Sequence, residues 1–334
     1  MKWDTVEIET PSGVINAVAP IIISASRATD IPAFYSQWFM KRLNDGYVRW
    51  INPFNQKSQY ISFNKTKVVV FWSKNPAPLI SYLDQLDDMG ISYYFQFTIN
   101  NYDEDNLEPN VPPLGIRLNT FKMLSTKLGR ERIIWRYDPL ILTPELTVKQ
   151  LLHKIKRVGE ALHPYTEKLV FSFADISAYK KVLRKLKSAG IDFLDFSNQT
   201  MCEIAEGISQ LNRNWNLKIA TCAERINLHE FGIEHNKCID DELIIKITKQ
   251  DKQLLRFLGR DASEQMSIFD NSIAPIPNIK DRGQRLECGC IISKDIGHYN
   301  TCPHLCRYCY ANISEKVVMR NYNSFDMSND AIVS

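Results

Sequence analysis

Seven short apolar runs, separated by helical patterns, constrain the fold of this chain more than any other feature. The first, over residues 19–27, is apolar until it ends in Ser24, Ser26 and Arg27, as a strand buried in a parallel sheet does. Thr29-Asp30 ahead of Pro32 is a helix start. Phe34, Trp38, Phe39 and Leu43 then recur at helical spacing until Asn44-Asp45-Gly46. Residues 47–51 and 67–72 read as the second and third strands, with a helix from there to about Met89. The fourth strand is 91–99. A polar, proline-containing loop over 100–113 then leads to a helix at 117–128. A fifth strand at 132–139, a helix at 147–162 and a sixth strand at 168–173 follow. Helices near 177–188 and 199–212 precede the seventh strand at 217–222, while 191–196 suits either a strand or a loop.

Strands alternating with helices predict an α/β fold with a parallel sheet. Their number and spacing fit a full or partial (β/α) TIM-type barrel. No G-x-G-x-x-G follows the first strand and no P-loop occurs, which sets aside a dinucleotide-binding sheet. Alternation stops near residue 226. The reading is a barrel-like core over 1–225 and a cysteine-rich, metal-binding C-terminal appendage over 226–334, with a loose polar tail from 321. With 334 residues, 44% of them hydrophobic, the chain is long enough to bury a large core. A net charge of +3 is too small to predict a nucleic-acid partner unless it clusters. Acids stand near the N-terminus where a signal peptide carries bases, and the longest apolar run, 18–25, is too short to span a bilayer. A cytoplasmic chain without a membrane partner is expected. In that compartment eight cysteines, with C-x-C and C-x3-C-x2-C spacings, favour metal over disulfides.

In a parallel barrel the reacting groups sit at the C-terminal ends of strands. These ends offer Arg27 and Asp30, then Asn52, then Lys74 and Asn75, then Gln96 and Asn100, then Arg136 and Asp138, then Ser172 and Asp175, and finally Cys222 and Glu224. Taken together they read as the lining of a polar pocket, with Arg27, Asp30, Arg136, Asp138 and Glu224 as candidate catalytic residues. The two arginines would clamp a carboxylate or phosphate, or else pair locally, Arg27 with Asp30 and Arg136 with Asp138.

The run Cys302-Pro-His-Leu-Cys306-Arg-Tyr-Cys309 brings three thiols to one short loop. Three thiolates suit three irons of a cubane and leave the fourth open; zinc is the alternative, since the ligand sets are alike. Cys222, Cys238, Cys288 and Cys290 would complete a separate four-thiolate site, or Cys288 and Cys290 would help ligate a single site with the loop. His229 and His235 lie between Cys222 and Cys238 without zinc-finger spacing. His304, inside the loop, and His298, ahead of it, would support the cluster from beside it rather than ligate it. Cys202, inside a helical pattern, reads as core.

The pattern C-x3-C-x-aromatic-C resembles the cluster loop of radical S-adenosylmethionine enzymes. Cys302-Pro-x-x-Cys306-x-Tyr-Cys309-Tyr looks most like their spore photoproduct lyase branch. The chain as a whole, through 23–32 and 288–311, resembles a bacterial domain-of-unknown-function family loosely described as DNA repair photolyase-like. The loop resemblance implies one [4Fe-4S] cluster, or two, and S-adenosylmethionine at the open iron with Tyr308 near its adenine. It also implies an electron donor such as flavodoxin or ferredoxin, and a small-molecule or nucleic-acid substrate. In those enzymes the loop follows the first strand and a Gly-Gly-Glu segment follows the second. Here the loop begins at 302 and no Gly-Gly-Glu occurs. Either the barrel is circularly permuted relative to theirs or the loop arose independently. Asp30, Asn75, Arg136 or Glu224 would then hold the amino-acid end of the cofactor. Two rivals stand beside this reading. One is an iron–sulfur redox protein that does not use S-adenosylmethionine. The other is a zinc-stabilised nucleic-acid-binding module using the basic face Lys180, Lys181, Arg184, Lys185 and Lys187.

Overall fold

Residues 68–71, 93–98 and 133–137 are buried without a break, the signature of strands covered on both faces. The computed structural model describes residues 3–248, 251–260 and 279–333. Its strands are β1 (Asp4–Thr10), β2 (Gly13–Ala19), β3 (Ile22–Ala25), β4 (Tyr47–Ile51), β5 (Ser58–Ser62) and β6 (Val68–Ser73). They continue with β7 (Ser92–Thr98), β8 (Ile133–Leu140), β9 (Lys168–Phe173), β10 (Lys218–Thr221), β11 (Ile233–His235) and β12 (Lys294–Asp295). The helices are α1 (Ile31–Phe34), α2 (Ser36–Asn44), α3 (Leu83–Asp88), α4 (Leu114–Leu128) and α5 (Val148–Leu162). After these come α6 (Lys180–Ser188), α7 (Asn198–Trp215), α8 (Asp241–Ile247), α9 (Lys252–Phe257) and α10 (Glu315–Asn323).

Eight strands form one parallel sheet in the order β11-β10-β9-β8-β7-β6-β3-β12. From β3 to β11 this is chain order, and the last strand, β12, lies beside the first, β3. That is the neighbour scheme of a (β/α) barrel with one seam unjoined: no pairing between β11 and β12 is present among the described residues. Of the full or partial barrel expected, the α/β class and the large parallel sheet are present, and among the described residues the sheet does not close. Residues 47–51 also depart from expectation. As β4 they pair antiparallel with β5, in a separate four-stranded sheet ordered β1-β2-β5-β4.

No separate cysteine-rich appendage is shown. Past residue 226 the chain supplies β11 and β12, the two edges of the main sheet. Nor is the end a loose tail. Trp38 Nε1 donates to the Asn329 carbonyl at 2.9 Å, Arg49 pairs with Asp330 at 2.8 Å, and Ala331 and Ile332 are buried.

Side chains alternate across the sheet, so each strand feeds two cores. Val69, Phe71, Phe95, Trp135 and Phe171 join the helices in the larger core. There α5, started by a Thr147–Gln150 capping box, buries Leu151, Ile155, Val158 and Leu162 along one stripe. Ile22, Val68, Val70, Tyr94, Ile134 and Val170 point the other way, toward Ile239, Ile244, Ile247, Leu254, Cys238, Cys288, Cys290 and Ile291. The segment after β11 thus plugs the inner face of the sheet. Burying four such aliphatic side chains contributes roughly 6–12 kcal/mol before entropy is charged against it.

Candidate metal centres and the barrel mouth

β12 ends in Asp295, whose carboxylate accepts from Ser24 Oγ at 2.8 Å and from the Arg27 N–H at 2.9 Å. This joins β12 to the end of β3 and launches the chain into the three-cysteine loop over the C-terminal ends of the strands. The loop is tied down from several sides. Asn312 Nδ2 donates to the Cys302 carbonyl at 2.9 Å and Asn110 Nδ2 to the Pro303 carbonyl at 2.9 Å. The Arg307 N–H donates to the Leu107 carbonyl at 2.9 Å, Tyr35 Oη to the Thr301 carbonyl at 2.7 Å, and the Lys185 amino group to the Cys309 carbonyl. Cys302, Cys306 and Cys309 lie within each other's electrostatic reach. Burial pushes the Cys306 thiol up to about 12 against the opposing pull of Lys74, and burial likewise raises Cys302.

Asp30 lies beneath this loop. Its Oδ1 accepts from the Ala33 N–H at 3.0 Å and Ser73 Oγ at 2.7 Å. Its Oδ2 accepts from the Lys74 N–H at 2.7 Å and pairs with His304 Nε2 at 2.8 Å. Four bonds fill the capacity of a carboxylate. Asp30 caps α1 and fastens the loop through His304, rather than pairing with Arg27 or facing a substrate. His304 is accordingly a buried anchor, with Nδ1 3.2 Å from the Asn110 carbonyl. Beside it, the buried Glu108 pairs with Lys74 at 2.7 Å and accepts from Asn100 Nδ2 at 2.9 Å and from Tyr308 Oη. Although burial alone would raise it, the cations Lys74 and Arg117 hold this carboxyl down at about 2. Tyr308 is thereby clamped through its hydroxyl, with Lys74 Nζ 5.5 Å from the centre of its ring. Asn75, half-buried on the same rim, donates its backbone N–H to Ser73 Oγ at 2.9 Å.

Arg136 lies on the inner face of the sheet beside Asp138, and Asn100 joins Asp138 to the group around Glu108, its Oδ1 accepting from the Asp138 N–H at 2.8 Å. Arg136 is 3% exposed and contacts Asp138, Gln96 Oε1 at 3.2 Å and Cys238 Sγ at 2.9 Å. Asp138 also accepts from Ser172 Oγ, so the local Arg136–Asp138 pairing is the one formed. The Cys238 carbonyl accepts from Tyr94 Oη at 2.7 Å and Gln96 Nε2 at 2.9 Å. Cys222 Sγ stands 3.5 Å from Cys238 Sγ, while Cys290 Sγ accepts from the N–H groups of Cys238 at 3.2 Å and Ile239 at 3.4 Å. The guanidinium of Arg27 lies 5.0 Å from the centre of the Trp72 ring and within the field of Cys290 and Cys238. All eight cysteines are free. Among the described residues no three or more His, Cys, Asp or Glu side chains converge as a ready-made ion site.

Glu224 falls in neither group. It lines a cleft of about 740 Å³ with Asp175, Asp195, Arg225, Arg285, Phe196 and Tyr179. Its Oε1 accepts from the Phe173 N–H at 2.9 Å, and burial raises the carboxyl to about 7. Tyr179 and Tyr310 approach at 6.5 Å between ring centroids, linking this cleft to the residue after Cys309. A second cleft, of about 370 Å³, sets Lys181, Arg184, Lys185 and Arg307 beside Cys306. The basic helix face singled out in the sequence therefore borders the cysteine loop.

Glu108 and Asn110 were missed in the sequence, hidden in a loop read only as polar. An acid and an amide among prolines give no local signal of a partner two hundred residues away. His229 and His235 are exposed and pack edge-on against each other at 6.0 Å. Cys202, on α7, packs against the larger core as expected.

A mixed α/β chain with one large parallel sheet, and with its cysteines gathered at the strand ends and beside the sheet edges, defines the class of protein. Residues 22–311 match the family described as Domain of unknown function (DUF1848), and the chain belongs to it. No curated protein matches the chain. Among solved structures, a candidate alpha-L-fucosidase from Bacteroides thetaiotaomicron aligns at 8% identity over 59% of this chain and 75% of that one, with a TM-score of 0.22. Among the described residues no helix is long and apolar enough to cross a membrane.

Proposed function

We propose that the chain is an iron–sulfur enzyme of the radical S-adenosylmethionine kind, with Cys302, Cys306 and Cys309 holding a [4Fe-4S] cluster whose fourth iron is open. The observation that carries this reading is the place of the loop: it leaves β12 and lies over the strand ends of β3, β6 and β7, through Asp30, Lys74 and Asn100. In the enzymes that the loop resembles, the cysteine loop follows one strand and the methionine-binding segment follows the next. Here β12 carries the loop and its neighbour β3 leads into residues 26–30, which supports the permuted arrangement. The donor set fits the group: three thiols on an anchored loop, with the cations Lys74 and Lys185 close by to offset cluster charge. When bound, the cluster would supply the electron that cleaves S-adenosylmethionine to a hydrogen-abstracting deoxyadenosyl radical.

The chain's own residues orient and enclose. Glu108 and Asn100 fix Tyr308 by its hydroxyl, as a rigid wall for an adenine requires. The cleft around Glu224 and Tyr179 takes the substrate, and Glu224, held near 7, exchanges a proton with it. The basic cleft beside Cys306 receives an acidic electron donor such as flavodoxin or ferredoxin.

The test is anaerobic purification, iron and acid-labile sulfide analysis, and an assay for 5′-deoxyadenosine with S-adenosylmethionine and dithionite. Cluster and deoxyadenosine should both be present, and Cys306→Ala should lose both. An iron–sulfur cluster without deoxyadenosine would leave the redox-protein reading. The same basic cleft favours a second reading, in which zinc holds the loop and the cleft binds nucleic-acid phosphates. Zinc without sulfide at the loop, with salt-sensitive RNA or DNA binding, would establish that instead.

A further inference from the structure

We infer that Cys222, Cys238, Cys288 and Cys290 form a mononuclear, tetrahedral four-thiolate metal site of the zinc type that ties the open seam of the barrel. It is independent of what the three-cysteine loop holds. Cys222 follows β10, Cys238 follows β11, and Cys288 and Cys290 precede β12, so the four thiols come from the segments flanking the unjoined edges. Across that seam the Ile291 N–H donates to the Ile239 carbonyl at 3.2 Å, beside the two N–H groups given to Cys290 Sγ.

Distance selects the kind of site. Cys222 and Cys238 stand 3.5 Å apart, far beyond the ~2.05 Å of a disulfide. Four sulfurs around one zinc at ~2.3 Å stand about 3.8 Å from one another. In a cubane each cysteine binds a different iron, which holds the sulfurs much further apart. The remaining thiols continue the string: the Cys238 N–H donates to Cys290 Sγ at 3.2 Å, and Cys288 lies within the field of Cys290. No three of these side chains yet meet at one point, so a bound ion would draw the string together. Gly289 permits the approach, since a Cβ there would lie 3.0 Å from the Asn236 carbonyl and 2.9 Å from Lys237 Cγ.

Two of the four sulfurs, Cys238 and Cys290, draw hydrogen-bond donors. A buried cysteine in a core acts as a small hydrophobe and attracts no donors. Here Cys238 Sγ receives Arg136 Nη1 at 2.9 Å and Asn236 Nδ2 at 3.1 Å, and Cys290 Sγ receives two backbone N–H groups. Arg27 Nη2 is buried without a hydrogen-bond partner, in the field of the same two sulfurs. Two guanidinium groups, though each also has an aspartate nearby, suit the double negative charge of a four-thiolate zinc site. All four ligand positions are filled by protein, so the site is structural: it closes the seam and sets Arg136 against Asp138.

The test uses the full chain carrying Cys302→Ser, Cys306→Ser and Cys309→Ser, with metals and sulfide measured per chain. One zinc without sulfide is expected. Cobalt exchange should give the intense visible bands of a tetrahedral thiolate site. Cys288→Ser, at the end of the string, should shift those bands, and Cys238→Ser should reduce metal content at least tenfold. The wild-type chain gives a second readout, one zinc beside whatever the loop holds. A folded triple variant that stays metal-free after zinc is supplied overturns the inference. Iron with equal sulfide in that variant, or a Cys222–Cys238 disulfide found by mass, also overturns it.

Discussion

His298 is 3% exposed and its Nε2 has no hydrogen-bond partner, so the ring is held neutral. Burial lowers its pKa from 6.5 to about 4, with Asp295 opposing the shift and Arg49 adding to it. The unfolded chain therefore binds a proton between pH 6.5 and 4 that the folded chain refuses, and stability falls as pH drops through that window. The limit of the effect is about 3 kcal/mol. Urea unfolding at pH 7.5 and pH 5 should show His298→Gln losing markedly less stability than the wild type; an equal loss would mean that the ring is protonated in the fold. Local sequence showed that this histidine neighbours the cysteine loop, but not that Thr29 Oγ1 donates to its carbonyl at 2.7 Å and buries it. Asp30 and Arg136 make the same point. Their positions at strand ends were legible, whereas their partners His304 and Cys238 come from chain far downstream.

The two-residue strand β12 shows where element-level reading fails. Lys294-Asp295 has neither apolar content nor enough length for a period, so nothing local marks it as a strand. Side chains hold it instead: Asp295 binds Ser24 and the Arg27 N–H, and Lys294 Nζ sits 3.6 Å from the centre of the Trp50 ring. The longer runs β6 to β9 were legible because they are mostly apolar, and α5 because its stripe of Leu151, Ile155, Val158 and Leu162 is continuous. The turn after β12 is equally dependent on distant contacts. A Cβ on Gly297 would lie 1.7 Å from Ser26 Oγ and 2.6 Å from Ser26 Cβ, and the Gly297 carbonyl accepts from Trp50 Nε1 at 3.0 Å. Gly297→Ala should lower stability by about 1–3 kcal/mol or more, read as a lower denaturant midpoint with unchanged slope. Gly283→Ala, where the added atom meets only Asp281 Oδ1 at 3.2 Å, is the control and should shift the midpoint little. Equal shifts in the two variants would deny that β12 is packed this tightly.

At the scale of the molecule, composition divides the chain near 226 and topology does not. The strand–helix alternation does end there, yet the missing edges β11 and β12 and the plug of α8 and α9 come from the far side of that line. C-terminal residues also return to the N-terminal third, with Phe325 packed edge-on against Tyr35 at 4.9 Å and Arg49 paired with Asp330. A fragment ending at 225 would expose Val68, Val70, Tyr94, Ile134 and Val170, which form one buried cluster with Ile239, Ile244 and Leu254. It would also leave β3 and β10 as open edges, each able to pair with another chain. The full chain should therefore unfold in one transition, coincident by far-ultraviolet circular dichroism and tryptophan fluorescence. Residues 1–225 expressed alone should be insoluble or lack that cooperative transition. A monomeric, cooperatively folding fragment would show that the core stands without the seam. The four cysteines at the seam would then bind a passenger rather than close a barrel.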